Sequence, residues 1–549
     1  MGRFTTWVER WRGGLSLPGL LLGTLLFSLS LTPSLLPRSF VLQGILSGCA
    51  FAVGYGIGAF LDWLWSYMGL KLPDNALVRR MKWAAAVLCM LVAVVFLFRA
   101  AAWQNSIRQV MGMGLIETAR PLRVALVAIV PAGILIILGK LLAYAVRRIS
   151  HQLTKIVPPR VAFVVSVVAV TVLTGFLVNG VVLRNALYAA DRFYAQLDAI
   201  AGPSGATPAD PLSSGSAGSL VNWDTIGRDG RVYVETGPTQ EQIEAVIGRE
   251  AMDPLRTYVG VRSAGSVEER AQLALAEMKR VGAFDRSILV LVMPVGTGWV
   301  DPAGIDTLEY LYAGDVASVA VQYSYLTSWL SLVIEPEYGT DTARALFETV
   351  YEYWTALPRY SRPRLYLHGL SLGALGSQAS IQLYDILADP FQGALWVGPP
   401  FESETWKWAT ARRQAGTPQW LPRFGNGSSI RFTNQSNALD IPGATWGPVR
   451  IVFLQYASDP ITFFEASSFY RAPEWMTGER GPDVSPDLVW QPVVTFLQLG
   501  LDMALAVTSP VGYGHVYAPR DYIDAWVAVT DPPGWDTQSI EALKAALAE

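Results

Sequence analysis

A serine flanked by glycines lies in the pentapeptide Gly369-Leu-Ser-Leu-Gly373. Residues 364–368 before it have the β-rich pattern of a strand, and residues 374–384 after it are small, proline-free and suited to a helix. A sharp turn from strand to helix puts a serine at a strained apex, where side chains larger than glycine on either side would collide. The pentapeptide alone is a weak signal, but in this context it predicts Ser371 as a nucleophile.

A serine hydroxyl is a poor nucleophile unless a base removes its proton and an acid orients that base. After an elbow of this kind the acid and then the base follow in the chain. His515, in a glycine-rich loop, is the only histidine after Ser371 and is the predicted base. Asp459, just past the predicted strand 451–456, is the predicted acid, with Asp440 in reserve. A surface-loop histidine and a turn aspartate are the alternative interpretations.

The remaining histidines and both cysteines suit other roles. His368, before Ser371 on the same strand, is expected to be a packed or pocket-edge residue, and His151 lies in a basic loop. Cys49 and Cys89 both lie in apolar runs near the N-terminus, so a disulfide framework or thiolate metal site is excluded for the C-terminal two-thirds. Three histidines make a histidine-rich metal site equally improbable. We therefore expect no metal and no cofactor.

An acyl-transfer site also needs two N–H donors aimed at the oxyanion. One is predicted at the backbone of Leu372, the residue after the nucleophile. The second is predicted in the loop after strand 287–293, at Gly296 and Thr297, where small residues let the backbone approach a substrate oxygen. This loop lacks the Gly-Lys-Ser/Thr pattern of a phosphate-binding loop, and a plain glycine turn is the alternative interpretation.

Short β-branched runs alternate with helical stretches from about residue 227. This alternation predicts an α/β-hydrolase fold over 227–549, with a mostly parallel sheet and helices on both faces. The predicted strands are 231–235, 255–261, 287–293, 317–323, 364–368, 394–397 and 450–456, and the predicted helices include 267–281 and 341–357. The segment 400–448 is rich in tryptophan and turn residues and is predicted as an insertion that could lie over a site as a lid.

The first 200 residues have the composition of a membrane domain. Charged residues make up only 16% of the chain and apolar residues 51%, against about 25% charged in a typical soluble protein. An apolar stretch of about 20 residues can cross a bilayer. Five such spans are predicted, at 15–31, 40–63, 82–98, 124–146 and 161–182, as an α-helical transmembrane bundle. A buried soluble helical bundle is the alternative.

The basic residues of the short loops predict the orientation of these spans. They place the N-terminus in the cytoplasm of a cell with the bundle in its inner membrane. An odd number of spans then places everything after residue 182 outside the cytoplasm, and one missed or false span reverses this. An amphipathic helix over 185–201 and a Gly/Ser/Pro linker over 201–226 are predicted to join the two domains.

Four segments give the chain a family resemblance. They are 218–228, Gly296-Thr-Gly-Trp-Val-Asp-Pro302, Gln322-Tyr-Ser-Tyr-Leu326 and Gly369-Leu-Ser-Leu-Gly373. With them the chain resembles bacterial membrane proteins, frequent in actinobacteria, that join an N-terminal multi-span region to a C-terminal α/β-hydrolase domain. The resemblance implies a serine hydrolase triad, whose members in this sequence would be Ser371, Asp459 and His515.

Three functions fit these features. The leading hypothesis is a membrane-anchored esterase- or lipase-like enzyme that cleaves acyl esters of a lipid or another envelope component. An acyltransferase would use the same residues with an alcohol in place of water. A non-catalytic scaffold or transport-associated protein is the third, since a simple tether needs only one span. A net charge of −3 leaves no broad basic field for nucleic acid.

Overall fold

The computed structural model describes residues 15–70, 76–178, 180, 198, 206–326, 336–381 and 388–548. Apart from Asp198, the predicted amphipathic helix 185–201 and the first residues of the predicted linker lie outside the described residues. The chain forms two compact units. One combines residues 1–186 with 465–505, and the other combines 187–464 with 506–549.

The first unit is built from helices. Its long or apolar helices are α1 (Leu17–Leu29), α2 (Phe40–Tyr67), α3 (Ala76–Val110), α4 (Pro121–Leu153) and α5 (Pro159–Phe176). Four of them, α2 to α5, are long and apolar enough to cross a membrane. By length and composition these helices fit a membrane region.

Among the described residues, four of the five predicted spans form helices long enough to cross a membrane. The first predicted span, 15–31, forms the 13-residue helix α1, about 20 Å long, whereas a bilayer core is about 30 Å thick. Ser16 caps the start of this helix, and the chain turns at 30–37. The extracytoplasmic placement depended on an odd number of spans and stays a prediction.

Close helix contacts and a late chain segment complete this unit. A Cβ on Gly48 of α2 would lie 2.3 Å from the carbonyl oxygen of Ala128 on α4, so only glycine permits this approach. The segment 465–505 packs in the same unit through helix α14 (Val494–Ala504). There Gln498 Nε2 donates to the Thr32 carbonyl at 2.9 Å. The helical unit is therefore discontinuous in the sequence.

The second unit contains a seven-stranded sheet, all of whose described pairings are parallel. Its strands are β1 (Leu255–Val259), β2 (Ile288–Met293), β3 (Val316–Val321), β4 (Arg364–Leu370), β5 (Gly393–Val397), β6 (Ile430–Thr433) and β7 (Arg450–Leu454), in the order β1-β3-β2-β4-β5-β7-β6. The strands are almost wholly buried, as expected when helices cover both faces. The predicted hydrolase-type sheet is confirmed.

Helices cover this sheet in two groups. The helices are α6 (Arg228–Glu235), α7 (Gln240–Ile247), α8 (Val267–Val281), α9 (Pro302–Leu311), α10 (Pro336–Ala356), α11 (Leu372–Ala379), α12 (Glu404–Ala411), α13 (Pro460–Phe463), α15 (Pro519–Thr530) and α16 (Thr537–Ala546). Helix α10 packs on α8 and α11, whereas α9 packs on α15. The carboxyl edge of the sheet is left for the loops that follow β2, β4 and β7.

Three predicted segments differ in the structure. Residues 231–235 belong to helix α6, not a strand, because packing of Gly230 on the Tyr258 ring overrides the β-propensity of Val-Tyr-Val. Within the predicted linker, Ser214 is buried and its Oγ accepts the N–H of Tyr258, so this part is packed. The segment 400–448 contributes β6 to the sheet and buries Trp406, so much of it is structural rather than a cover.

Candidate active site

Ser371 occupies the turn between β4 and α11. Its φ of 56° and ψ of −124° are unusual for a residue with a side chain, and its N–H donates to the Val397 carbonyl at 2.9 Å. A Cβ on Gly369 would lie 2.3 Å from the Gly373 backbone, and one on Gly373 would lie 2.0 Å from the Met293 oxygen. The two glycines therefore allow the sharp turn that holds the Ser371 side chain at the carboxyl edge of the sheet.

The structure brings His515 and Asp459 together. His515 Nδ1 lies 2.7 Å from Asp459 Oδ2, and both side chains are buried. A carboxylate at this distance fixes the proton on Nδ1 and leaves a lone pair on Nε2. In the described structure His515 Nε2 is buried and has no hydrogen-bond partner. Asp440, the reserve candidate, is exposed.

Asp459 is held by four donors in all. Besides His515, its Oδ1 accepts the N–H of Ile461 at 2.8 Å, and its Oδ2 accepts the hydroxyl groups of Tyr517 at 2.7 Å and Thr462 at 3.3 Å. Asp459 follows β7 and caps the short helix α13, whose first turn supplies the Ile461 N–H. This network fixes the carboxylate in one orientation toward the imidazole.

The loop that carries His515 is fixed on both sides. Ser458 Oγ accepts the N–H of Gly514 at 2.9 Å, and the His515 N–H donates to the Ala506 carbonyl at 3.2 Å. A Cβ on Gly398 would lie 2.7 Å from the imidazole Cε1, so the ring lies directly against this residue. Gly398 follows Val397, the residue that accepts the Ser371 N–H. The imidazole and the serine therefore lie at the ends of neighbouring strands β5 and β4.

The predicted oxyanion donors lie on two adjoining segments. Leu372 is the first residue of α11, where a helix has no internal acceptor for the backbone N–H. The loop with Gly296 and Thr297 lies next to this helix start, since Gly373 packs against Met293 and Pro294. Thr297 itself is anchored elsewhere: its Oγ1 donates to Asp229 at 2.6 Å, and its carbonyl accepts Gln322 Nε2 at 2.9 Å.

These hydrogen bonds occupy the hydroxyl and the carbonyl of Thr297 and fix the position of the loop. The turn is closed by Gly298, whose N–H donates to the Val295 carbonyl at 2.8 Å. The φ of Gly298 is 90°, a value that favours glycine. The carbonyl of Gly298 accepts the Tyr258 hydroxyl at 2.7 Å. Any contribution of Thr297 to an oxyanion is thus confined to its N–H.

His368 is a core residue of β4. Its Nδ1 lies 2.9 Å from the Leu395 carbonyl, and its ring packs against Trp526. Burial lowers the pKa of His368 to about 4, although the contact with Leu395 acts in the opposite direction. The imidazole is therefore neutral near pH 7 and packed as a structural side chain.

Sequence reasoning missed two polar neighbours of His515. Tyr517 stacks on Tyr456 with ring centroids 4.3 Å apart while it donates to Asp459. Asp301 accepts the Tyr522 hydroxyl at 2.7 Å; desolvation by burial raises the pKa of Asp301 to about 6, and the charge of His515 acts to lower it. The Gly-Trp-Val-Asp-Pro and His-Val-Tyr segments contained both residues, but nothing in their spacing indicated contact.

Two family models match the chain. One, described as the alpha/beta-hydrolase family, matches residues 255–543, and the other, described as the N-terminus of the alpha/beta-hydrolase family, matches residues 31–238. The first covers more than half of the chain, including both segments that supply the elbow and the His–Asp pair. A search of curated proteins and a search of solved structures each found no match.

Proposed function

The chain belongs to the alpha/beta-hydrolase family, and from this premise we propose that it is a membrane-anchored serine hydrolase that cleaves carboxylic esters. The observation that carries the proposal is the His515–Asp459 pair at 2.7 Å, with the second imidazole nitrogen free at the sheet edge that bears the strained Ser371. Hydrolases of this type combine these three groups in this chain order.

In the proposed reaction the Ser371 Oγ attacks the ester carbonyl while His515 Nε2 takes the hydroxyl proton. Asp459 keeps the imidazole in the required tautomer and stabilises the imidazolium that forms. The N–H groups of Leu372 and of Gly296 or Thr297 stabilise the oxyanion. His515 then protonates the leaving alcohol, and water activated by the same nitrogen cleaves the acyl-enzyme, which releases the acid and regenerates Ser371.

A lipid or another envelope-associated acyl ester is the proposed substrate class. Four apolar helices hold the enzyme at a bilayer, where esters with long acyl chains concentrate. The proposal commits to ester cleavage and leaves the acyl chain to experiment.

Labelling with a fluorophosphonate probe tests the nucleophile. The full-length wild type in detergent should be labelled covalently, and Ser371→Ala should not. Ser380→Ala is the matched control, since the Ser380 hydroxyl only donates to the Ser377 carbonyl at 2.8 Å within the next helix. Labelling of Ser371→Ala at the wild-type level would refute the role of Ser371.

Release of acid from a series of acyl esters of increasing chain length tests the reaction. We expect hydrolysis by the wild type and by Ser380→Ala, with a preference for longer chains, and none by Ser371→Ala. Release of free acid at the same rate with and without an added alcohol would identify water as the acceptor, whereas formation of a new ester with the alcohol would identify acyl transfer. Probe labelling without cleavage of any ester would overturn the proposed substrate class.

A further inference from the structure

A cavity of about 330 Å³ lies within the helical unit, where the loop between α1 and α2 meets the loop between α3 and α4. Three arginines line it: Arg38 from the first loop, Arg108 from the end of α3 and Arg120 from the second loop. The apolar part of α3 ends near residue 98, so the cavity lies at the end of the apolar helix region. A volume of this size is sufficient for a small ligand or a headgroup.

Among the described residues, no salt bridge joins the three arginines to a carboxylate, although the charge of Asp502 acts on Arg38. Arg108 Nη1 donates to the Gly114 carbonyl at 3.0 Å, and the Arg120 guanidinium lies 5.3 Å from the centre of the Phe40 ring. Arg38 Nη2 donates to the Thr32 carbonyl at 3.1 Å. The charges of Arg108 and Arg120 are therefore available to an anion, and Arg38 adds a charge that it shares with Asp502.

Buried polar atoms without partners face this cavity. Arg38 is 7% exposed, and in the described structure its Nε and Nη1 have no hydrogen-bond partner. Gln104 is 4% exposed; its Oε1 accepts the Arg38 N–H at 2.7 Å, which leaves its Nε2 unpaired. Gln43 Oε1 is likewise unpaired. Buried polar groups in proteins are almost always hydrogen-bonded, so a cluster of such atoms beside a cavity is suited to bind a polar ligand.

Two helix N-termini add to the positive potential. Helix α2 begins at Phe40 and α4 begins at Pro121, and their capping residues Ser39 and Arg120 both line the cavity. Unpaired N–H groups and the helix dipole make such ends attractive to anions. Both helices have more than 25 residues, so the full terminal charge is present.

We propose that this cavity binds a phosphate-type oxyanion. Arg38, Arg108 and Arg120 supply the charge, Gln104 Nε2 donates a further hydrogen bond, and Gln43 Oε1 accepts one from a protonated oxygen or a headgroup hydroxyl. Phosphate oxygens match the fork geometry of guanidinium groups. The phosphate belongs either to an anionic lipid headgroup or to free phosphate, and the place of the cavity at the end of membrane-length helices fits the lipid.

Asp502 provides an internal test of this site. Its charge acts on Arg38, and its Oδ2 accepts the Leu35 N–H at 3.0 Å. If Arg38 is reserved for an anion, Asp502→Asn should bind phosphate more tightly, because the competing negative charge is removed while the hydrogen bond to Leu35 is kept. Equal or weaker phosphate binding by this variant would show that the Arg38 charge does not act on the anion and would overturn the proposal.

Binding is measured on the full-length protein in neutral detergent. Inorganic phosphate is titrated by calorimetry against chloride at equal ionic strength, and phosphatidylglycerol is compared with phosphatidylcholine by native mass spectrometry. The variants are Arg108→Gln and Arg120→Gln, which are partly or fully exposed, and the buried Arg38→Gln. Arg148→Gln is the matched control, because Arg148 is an exposed arginine at the opposite end of α4.

Each cavity variant should weaken binding about tenfold or more while Arg148→Gln leaves it unchanged. Binding of phosphatidylglycerol alone identifies a lipid headgroup, and binding of inorganic phosphate alone identifies free phosphate. Either result supports the proposal. Equal binding of chloride, or affinities in Arg108→Gln and Arg120→Gln that match Arg148→Gln, would refute it. Since the two exposed variants are expected to fold, a failure of Arg38→Gln to fold does not obscure the result.

Discussion

The sheet edge at Ser371 and the arginine cavity at Arg38 both contain buried polar atoms without partners in the described structure, but they differ in number and in surroundings. In the His515–Asp459 pair one atom, His515 Nε2, lacks a partner, whereas Asp459 accepts hydrogen bonds from four donors. In the cavity, two nitrogens of Arg38 and one atom each of Gln43 and Gln104 lack partners.

This difference indicates that the sheet edge is suited to a reaction and the arginine cavity to binding. A single free lone pair on an oriented imidazole is suited to moving one proton, because its position is fixed by the second nitrogen. Several unpaired donors around permanent charges are suited to surrounding an anion, since guanidinium groups do not release protons near neutral pH. Substitutions at the sheet edge should therefore change rates, whereas those in the cavity should change affinity.

The largest effect is expected for His515→Ala. Loss of the only group that can take the Ser371 proton should lower ester turnover by about 10,000-fold. His368→Asn is the control, because His368 is the other histidine of this unit and donates only to a strand carbonyl. Turnover is measured on both variants with the same ester. Equal losses in the two would place the effect in the packing of the sheet and would erase the distinction between the two histidines.

One glycine in each unit allows the packing around the backbone to be compared. A Cβ on Gly373 would meet the Met293 oxygen at 2.0 Å, whereas nothing lies within 4 Å of a Cβ on Gly500 in α14. Gly373→Ala should destabilise the elbow by about 2–3 kcal/mol, and Gly500→Ala, at an exposed position of α14, should stabilise the helix by about 1 kcal/mol. Melting curves of the detergent-solubilised proteins should shift in opposite directions. A Gly373→Ala variant as stable as the wild type would contradict the tight turn.

Tyr517→Phe tests the hydrogen bonds that position Asp459, and a smaller loss of turnover is expected. Removal of the hydroxyl that donates to Asp459 at 2.7 Å should lower turnover about tenfold, because a hydrogen bond to a carboxylate is lost. Tyr513→Phe, four residues earlier in the same loop, should leave the rate unchanged. Separate measurement of kcat and KM distinguishes positioning from packing: the loss of this donor should lower kcat and leave KM and the melting temperature unchanged, whereas a packing defect would also lower the melting temperature.

Most of the sheet was predictable, because β-branched runs of five to seven residues are buried on both faces and have few other structures open to them. The prediction failed where tertiary packing decides. Val232-Tyr-Val has high strand propensity, yet it forms part of α6 because Gly230 fits against Tyr258. The first apolar run, 15–31, was long enough to span by composition, but capping by Ser16 and the turn at 30–37 leave only 13 helical residues.

The predicted site residues are distant in sequence, and only some of their contacts could be anticipated. The motif around Ser371 and the single later histidine indicated Asp459 and His515 by elimination and chain order, and the structure places these two in contact. Tyr517 and Asp301 carried no comparable pattern. The arginine cavity could not be predicted either, since Arg38 lies in a loop and Arg108 lies 70 residues later at the end of a helix, and basic residues in such segments indicate membrane topology and not a shared cavity.

The last prediction concerns the pH dependence of stability and the buried His368. Burial lowers the pKa of His368 to about 4, below the value of about 6.5 of a histidine in an unfolded chain. The unfolded state therefore binds a proton first, and stability is lost as the pH falls from about 6.5 through about 4, by up to about 3 kcal/mol. Asp301 has the opposite sign: its raised pKa of about 6 favours the folded protein as the pH falls through the same range.

In the wild type the opposite pH dependences of stability from His368 and Asp301 partly cancel. Each contribution must therefore be measured in a variant. His368→Asn should lose less stability between pH 7 and pH 4.5 than the wild type, because the histidine penalty is gone. Asp301→Asn, which keeps the cap of α9, should lose more, because its favourable protonation is gone. Melting temperatures of the three proteins at each pH provide the test. Parallel curves would show that neither group changes its protonation between the folded and unfolded states, and a reversed order would contradict the burial of His368 beside Leu395.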